Sequence, residues 1–265
     1  MMIEGADLVH TFACQELRGG NQEASYSAQL PGLEGWVSCR PLRPAPRGGD
    51  LYYLSACSQG VVARMVLADV SGHGDVVSAA AVSLHDALRQ HIDEWDQSLL
   101  IRQLNDNFFQ NTQRAQYATA FLGSFYAESG ELLFTNAGHL PPLWFRAATR
   151  EWSFLSDSTP LIKEIRDLPL GMIAGTSYSQ TAVQIDPGDL LILYTDGINE
   201  ACDRSGEQLG LERLLAMAEN LPTNSPYAAG KALLAAVNRF RDGVPPEDDV
   251  TVVALQRPVS RVLHE

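Results

Sequence analysis

Apolar residues along this chain fall into short blocks, each stopped by Gly, Pro, Asp or Asn. Blocks rich in β-branched and aromatic residues predict strands at 35–40, 50–56, 61–70, 118–127, 131–138, 189–197 and 249–255. The turn residues of "AESGEL", 127–132, predict a hairpin joining two of them. Apolar spacing changes to the helical period over 75–92, where Asp75 occupies a capping position, and over 96–111, where Asp96 does. Two further helices are predicted at 209–219 and 226–241. Strands, a helix pair, strands, helices and a last strand make an α+β order with antiparallel sheets, not a βαβ series. No glycine fingerprint opens a helix after a strand, so a dinucleotide fold is not indicated.

The length, 265 residues, suits one large domain or two small ones. The Pro/Arg-rich stretch "RPLRPAPRGGD", 40–50, is too short and too closely flanked by strands to separate domains. A formal charge of −13 argues against a nucleic-acid partner, since phosphate binding needs a basic surface. Solubility is the ordinary reading of that charge; the sharper one is that some acidic residues gather to hold cations. Cys14, Cys39, Cys57 and Cys202 form neither a zinc pattern nor a disulfide framework, which points to a reducing compartment. "MMIEGADLVHTFACQEL" has no basic start, so no signal peptide is expected, and no apolar run reaches the ~20 residues of a membrane span. These features predict a soluble, cytoplasmic protein with no membrane contact.

Four acidic sites share one setting. Asp50 follows "RGG" and opens an aromatic strand, and Asp69 ends "RMVLA" before "VSGHG". Asp196 follows "LLILYT" and precedes "GINEA", and Asp248 and Asp249 open "VTVVAL". Singly, each is ordinary turn chemistry, because aspartate beside glycine caps its own backbone. As a set, carboxylates at strand ends from distant parts of the chain are what a hard-cation site needs, Mg²⁺ and Mn²⁺ preferring oxygen ligands. That spacing suggests a divalent-metal hydrolase.

The ordered series "RGGDLYYL", "ADVSGHG", "TNAGHLPPL", "LPLGM", "DPGDLLILYTDGINEA", "GEQLGLERL" and "EDDVTVVAL" resembles the SpoIIE-type branch of the PPM (type 2C) serine/threonine protein phosphatases. The resemblance implies a four-layer α-β-β-α sandwich over residues 25–257, with 1–24 an N-terminal extension and 258–265 a tail. It implies two Mn²⁺ or Mg²⁺ ions at one end of the sandwich. Asp69 would bridge both ions, the Val70 carbonyl would ligate one, and Asp196 and Asp248 would hold the second. Asp50 would sit beside the centre and orient the attacking water. Asp249 stands where many relatives have Asn and ranks below Asp248, although sequence does not separate these neighbours. A metal pair lowers the pKa of a shared water and neutralises phosphoryl oxygens. No Cys-x5-Arg signature offers a cysteine route instead.

The pattern also departs from the family. Ser71 stands where the classical branch has a histidine, and His73 lies further along the loop, more a turn residue than a general acid. Asn136, Gly138 and His139 match a family motif read as architecture, and Arg47 is a positional candidate for gripping phosphate. The helix pair after Asp69 packs on a sheet, and the family adds a regulatory role for it. The expected partner is a phosphoprotein, by resemblance a STAS-domain anti-sigma antagonist in bacterial partner switching. A catalytically inactive pseudo-phosphatase serving as a binding module is the rival, and a hydrolase of small phosphoesters the weaker third. The intact set of Asp50, Asp69, Asp196 and Asp248 favours the enzyme.

Overall fold

Alternation in two central strands decides the layering. In the computed structural model, β4 (Leu33–Arg40) turns Val37 and Cys39 toward one apolar core and Trp36 toward another. Likewise β5 (Arg47–Cys57) sends Tyr52, Leu54 and Ala56 to the first core, and Leu51 and Tyr53 to a third. Strands buried on both faces need covering layers on both sides, which gives three cores and four layers. The structure describes residues 9–14, 16–57, 60–72, 75–91, 94, 96–111, 116–156 and 167–259.

One sheet joins β4 to β3 (Ala24–Leu30), which carries β1 (Val9–Thr11) at its edge. On the other side β4 meets β13 (Val250–Gln256), then β12 (Leu190–Tyr194), β9 (Leu143–Arg146) and β10 (Glu151–Phe154). The facing sheet runs β11 (Thr181–Gln184), β8 (Glu131–Ala137), β7 (Ala118–Tyr126), β6 (Val62–Val70), β5 and β2 (Leu17–Gln22). The pairings are antiparallel, except that β1 runs parallel to β3. Helices α1 (Asp75–Gln90) and α2 (Gln97–Asn111) share a core with β5, β6 and β7. Helices α4 (Gly210–Ala218) and α5 (Pro226–Arg241) cover β4, β12 and β13. The predicted α+β sandwich is the fold found. No described helix is long and apolar enough to cross a membrane.

Local chemistry explains the helix ends. Asp96 Oδ1 accepts from the amides of Ser98 (2.9 Å) and Leu99 (3.1 Å), and Ser225 Oγ accepts from Ala228 (3.0 Å), so each caps its helix. The expected Asp75 cap lies outside the described side chains. The hairpin forms as predicted, Tyr126 opposing Glu131. The N-terminal stretch read as an extension contributes edge strands to both sheets: β1 pairs with β3, and β2 with β5. The sheets therefore begin well before residue 25. Pattern reading also passes over β3, β9, β10 and β11, and over α3 (Asp196–Asn199), a single turn that begins at the end of the stretch taken as strand.

Gly230 shows how closely α5 lies on its sheet. A Cβ there would fall on the Trp36 ring, at Cε3 and Cζ3. Helix propensity alone would make Gly230→Ala stabilising by about 1 kcal/mol. Overpacking a buried tryptophan costs about 1–3 kcal/mol, so a net loss is expected. Thermal unfolding should show a lower midpoint for G230A; a raised midpoint would mean that Trp36 yields freely.

Candidate metal centre

Register brings the first two carboxylates together. On adjacent antiparallel strands Asp50 lies directly opposite Asp69, which in turn lies opposite Thr119 on β7. Directly opposed residues share a face, and this one faces the other sheet, in line with Tyr52 and Leu67. Asp50 is buried and Asp69 half-buried.

The facing sheet supplies the rest. Where β12 ends, Thr195 is fully buried, and its amide donates to the Thr251 carbonyl (3.1 Å). Thr195 Oγ1 accepts from the Thr251 amide (3.0 Å) and donates to Asp50 Oδ2 (2.7 Å). As the donor in this bond, Thr195 favours the ionised Asp50 carboxylate. The next residue, Asp196, opens α3.

The neighbours Asp248 and Asp249 diverge. Asp249 is buried, and its carboxylate accepts from the amides of Leu42 (2.6 Å), Gly49 (2.6 Å) and Asp50 (3.3 Å). A Cβ on Gly48 would fall on this carboxylate, and one on Gly197 on the Asp249 carbonyl, so both glycines are needed for the approach. Asp248 is exposed, and its Oδ1 accepts from the Asp249 amide (2.8 Å). The Val70 carbonyl lies beside Gly49.

Electrostatics ties the four together. Burial raises the Asp50 pKa well above the carboxylate range, and Asp69 adds to the shift. Asp69 is raised by burial and then by Asp196 and Asp248, and it shares a side-chain hydrogen bond with Asp196. Asp196 is raised by burial, then by Asp248 and Glu200. No cation is among the leading influences on Asp50, Asp69 or Asp196. Among the described residues, no three His, Cys, Asp or Glu side chains form a closed ligand cluster. The Asp50–Asp69 register and the Asp69–Asp196 hydrogen bond put these three carboxylates near one another without closing a ligand cluster. An all-oxygen, uncompensated donor set fits hard divalent cations.

The remaining expected residues fall around this set. Ser71 is pinned to the start of β7: its amide donates to the Tyr117 carbonyl (2.9 Å), and its Oγ accepts from the Tyr117 amide (3.0 Å). His73 lies outside the described residues. Arg47, exposed, acts electrostatically on His85 of α1, on the opposite face of β5 from Asp50. Asn136 and His139 close a turn on each other, Asn136 Oδ1 accepting the His139 amide (2.7 Å) and Asn136 Nδ2 donating to the His139 carbonyl (2.9 Å). The His139 ring sits 2.8 Å from Thr119 Oγ1, so it buttresses the strand beside Asp69. Pattern reading missed Thr195, Thr251 and Thr119. Extending the alternation of Leu191 and Leu193 by two residues would have placed Thr195 on the inner face.

Two outcomes follow from this division. Asp249→Ala strands three amides and should cost about 2–4 kcal/mol in urea unfolding without metal, whereas Asp248→Ala should cost under about 0.5 kcal/mol. Equal losses would remove the distinction. Burial lowers the His139 pKa from 6.5 to about 4, so the unfolded chain takes up this proton first. The stability conferred by the neutral ring is complete above pH 6.5 and is lost as pH falls toward 4. Between pH 7 and 5 the wild type should lose about 1–2 kcal/mol more than His139→Gln, because raised carboxylates act oppositely in both proteins. Parallel pH profiles would contradict it.

Comparisons with known proteins bear on the family and the fold. The family model described as Stage II sporulation protein E (SpoIIE) matches residues 60–258. Phosphoserine phosphatase RsbU of Bacillus subtilis is 23% identical over 80% of this chain and 60% of its own length. Protein IcfG of Synechocystis is 29% identical over 54% of this chain and 21% of its own. The chain thus spans less than two thirds of the length of each of these relatives. Among solved structures, the SiaA PP2C domain of Pseudomonas aeruginosa superposes with a TM-score of 0.67 at 18% identity, covering 84% of each chain. RsbX, solved with magnesium, gives 0.63 at 14% identity, covering 88% of this chain and 99% of its own. With the family model spanning most of its residues on a PP2C-type sandwich, this chain belongs to the SpoIIE family.

Proposed function

We propose that the chain is a metal-dependent serine/threonine protein phosphatase. One observation carries this reading: Asp50 and Asp69 face each other across one sheet, while Asp196 and Asp248, rooted in the other sheet, raise the pKa of the same Asp69 carboxyl. Two Mn²⁺ or Mg²⁺ ions, when bound, activate a water and neutralise the phosphoryl oxygens. Asp69 would be shared between the ions, with the Val70 carbonyl on one and Asp196 and Asp248 on the other. Asp249, committed to three amides, serves as the clamp that keeps Asp248 in place.

Asp50 would hold its carboxylate toward the space over Asp69, accept a hydrogen bond from the attacking water and so orient it. Thr195 keeps Asp50 in that rotamer and favours its ionised form against the effect of burial. The buried histidine is neutral near pH 7 and points its Nδ1 at Thr119, so it holds the strand and carries no proton to the substrate. A leaving serine or threonine oxygen then takes its proton from solvent.

The finer reading of the substrate is a phosphorylated STAS-domain anti-sigma antagonist, met in the cytoplasm. Relatives named phosphoserine phosphatase RsbU and RsbP support phosphoserine as the group hydrolysed. The inactive binding module is disfavoured by the uncompensated carboxylates, which a fold without an ion would be more stable to replace.

Hydrolysis of p-nitrophenyl phosphate should require Mn²⁺ or Mg²⁺ and stop on chelation. Asp69→Asn should lower kcat by about 10³-fold or more, and Thr195→Val by about 10–100-fold with Thr195→Ser near wild type. Turnover indifferent to chelator and to D69N would overturn the metal route. No turnover of any phosphoprotein would favour the binding module.

A further inference from the structure

The helix layer on the first sheet stops short of its edge. α5 lies over β13 and β4, and beyond it the outer face of β3 is left open. Between them runs a cleft of about 600 Å³. Its floor is apolar and buried, formed by Ile198, Leu234 and Val237, and its rim carries Arg40, Arg43, Glu23 and Asp248. Asp248 therefore belongs both to this cleft and to the carboxylate set, so a chain seated here emerges at the candidate centre.

Charge narrows the occupant. On a protein of net −13, this rim brings two exposed arginines together. Arg40 has no ion-pair partner among the described residues. Arg43 meets Glu23 at 3.4 Å, but side chains 84% and 69% exposed make that pair weak and easily exchanged. Beneath the floor Arg241, buried, donates to the Gly197 carbonyl (2.7 Å) and adds a third permanent positive charge. Most of the surface would repel an acidic segment, whereas this rim attracts one, and guanidinium groups pair with carboxylates in a fork. The floor takes an apolar side chain.

We infer that this cleft is the specificity subsite of the proposed phosphatase, receiving the acidic, apolar-anchored segment that flanks the phosphoserine of its protein substrate. The inference rests on the phosphatase reading and adds the class of sequence the enzyme selects. The phosphate goes to the carboxylate-held ions and the flank to Arg40 and Arg43. Small phosphoesters, lacking a flank, do not sense the cleft.

Two fluorescent phosphoserine peptides test it, alike except that one has glutamates and the other lysines around the same leucine. Binding by anisotropy and kcat/KM with Mn²⁺ are measured for the wild type, Arg40→Glu/Arg43→Glu, and Asn238→Trp, which narrows the cleft from the exposed side of α5. The wild type should prefer the glutamate peptide by about 10-fold or more, the double variant should lose or invert that preference, and N238W should weaken both peptides. Turnover of p-nitrophenyl phosphate should stay within about 2-fold in all three, since none of these side chains touches the reacting group. Equal binding of the two peptides by the wild type, or a preference the double variant keeps, would overturn the subsite. Absent p-nitrophenyl phosphate turnover with the anisotropy preference intact would instead overturn the phosphatase reading and leave a peptide-binding cleft.

Discussion

The two sheets are fastened at the site end by one buried carboxylate. Asp249 leads into β13 of one sheet, yet its oxygens accept the amides of Gly49 and Asp50 at the start of β5 in the other, and that of Leu42 in the connecting loop. A carboxylate satisfied by several backbone amides is a strong, directional tie. Gly48 and Gly197 leave room for it, and the Thr195–Asp50 bond repeats the connection one step deeper. Away from this end the sheets meet through side chains such as Leu54, Leu67, Leu193 and Val253, which set spacing but no register. The relative position of Asp50 and Asp69 on one side, and Asp196 and Asp248 on the other, depends on the clamp.

That arrangement costs stability. Asp50, Asp69 and Asp196 are held where burial and neighbouring carboxylates raise their pKa values. Apolar packing on both faces of both sheets supplies the excess that tolerates it. A local violation of good packing electrostatics, surrounded by consistent structure, is the signature of a functional site.

The central strands were readable because burial on both faces leaves long apolar runs, as in β6 and β13. The edge strands were not. β2 is "LRGGNQ", with two glycines, and β11 alternates half-buried and exposed positions with little apolar content. Pairing, not composition, makes them strands. The same double burial hid the division between Asp248 and Asp249. In "VTVVALQ" every position is buried, so no alternation shows which acidic neighbour turns inward. The aspartates were legible as strand-end carboxylates, while the threonines that hold them were not, since a buried threonine in a strand is otherwise ordinary.

The most direct measurement counts the ions. Titration of Mn²⁺ into the metal-free chain, followed by the EPR signal of the unbound ion, should remove two ions per chain for the wild type. The Asp69→Asn variant should lose both steps and Asp196→Asn one, while Asp249→Ala should weaken both, since the ligands' relative position depends on the clamp. A chain that leaves the Mn²⁺ signal untouched, or an Asp69→Asn variant that binds as the wild type does, would contradict the convergence of these carboxylates on cations.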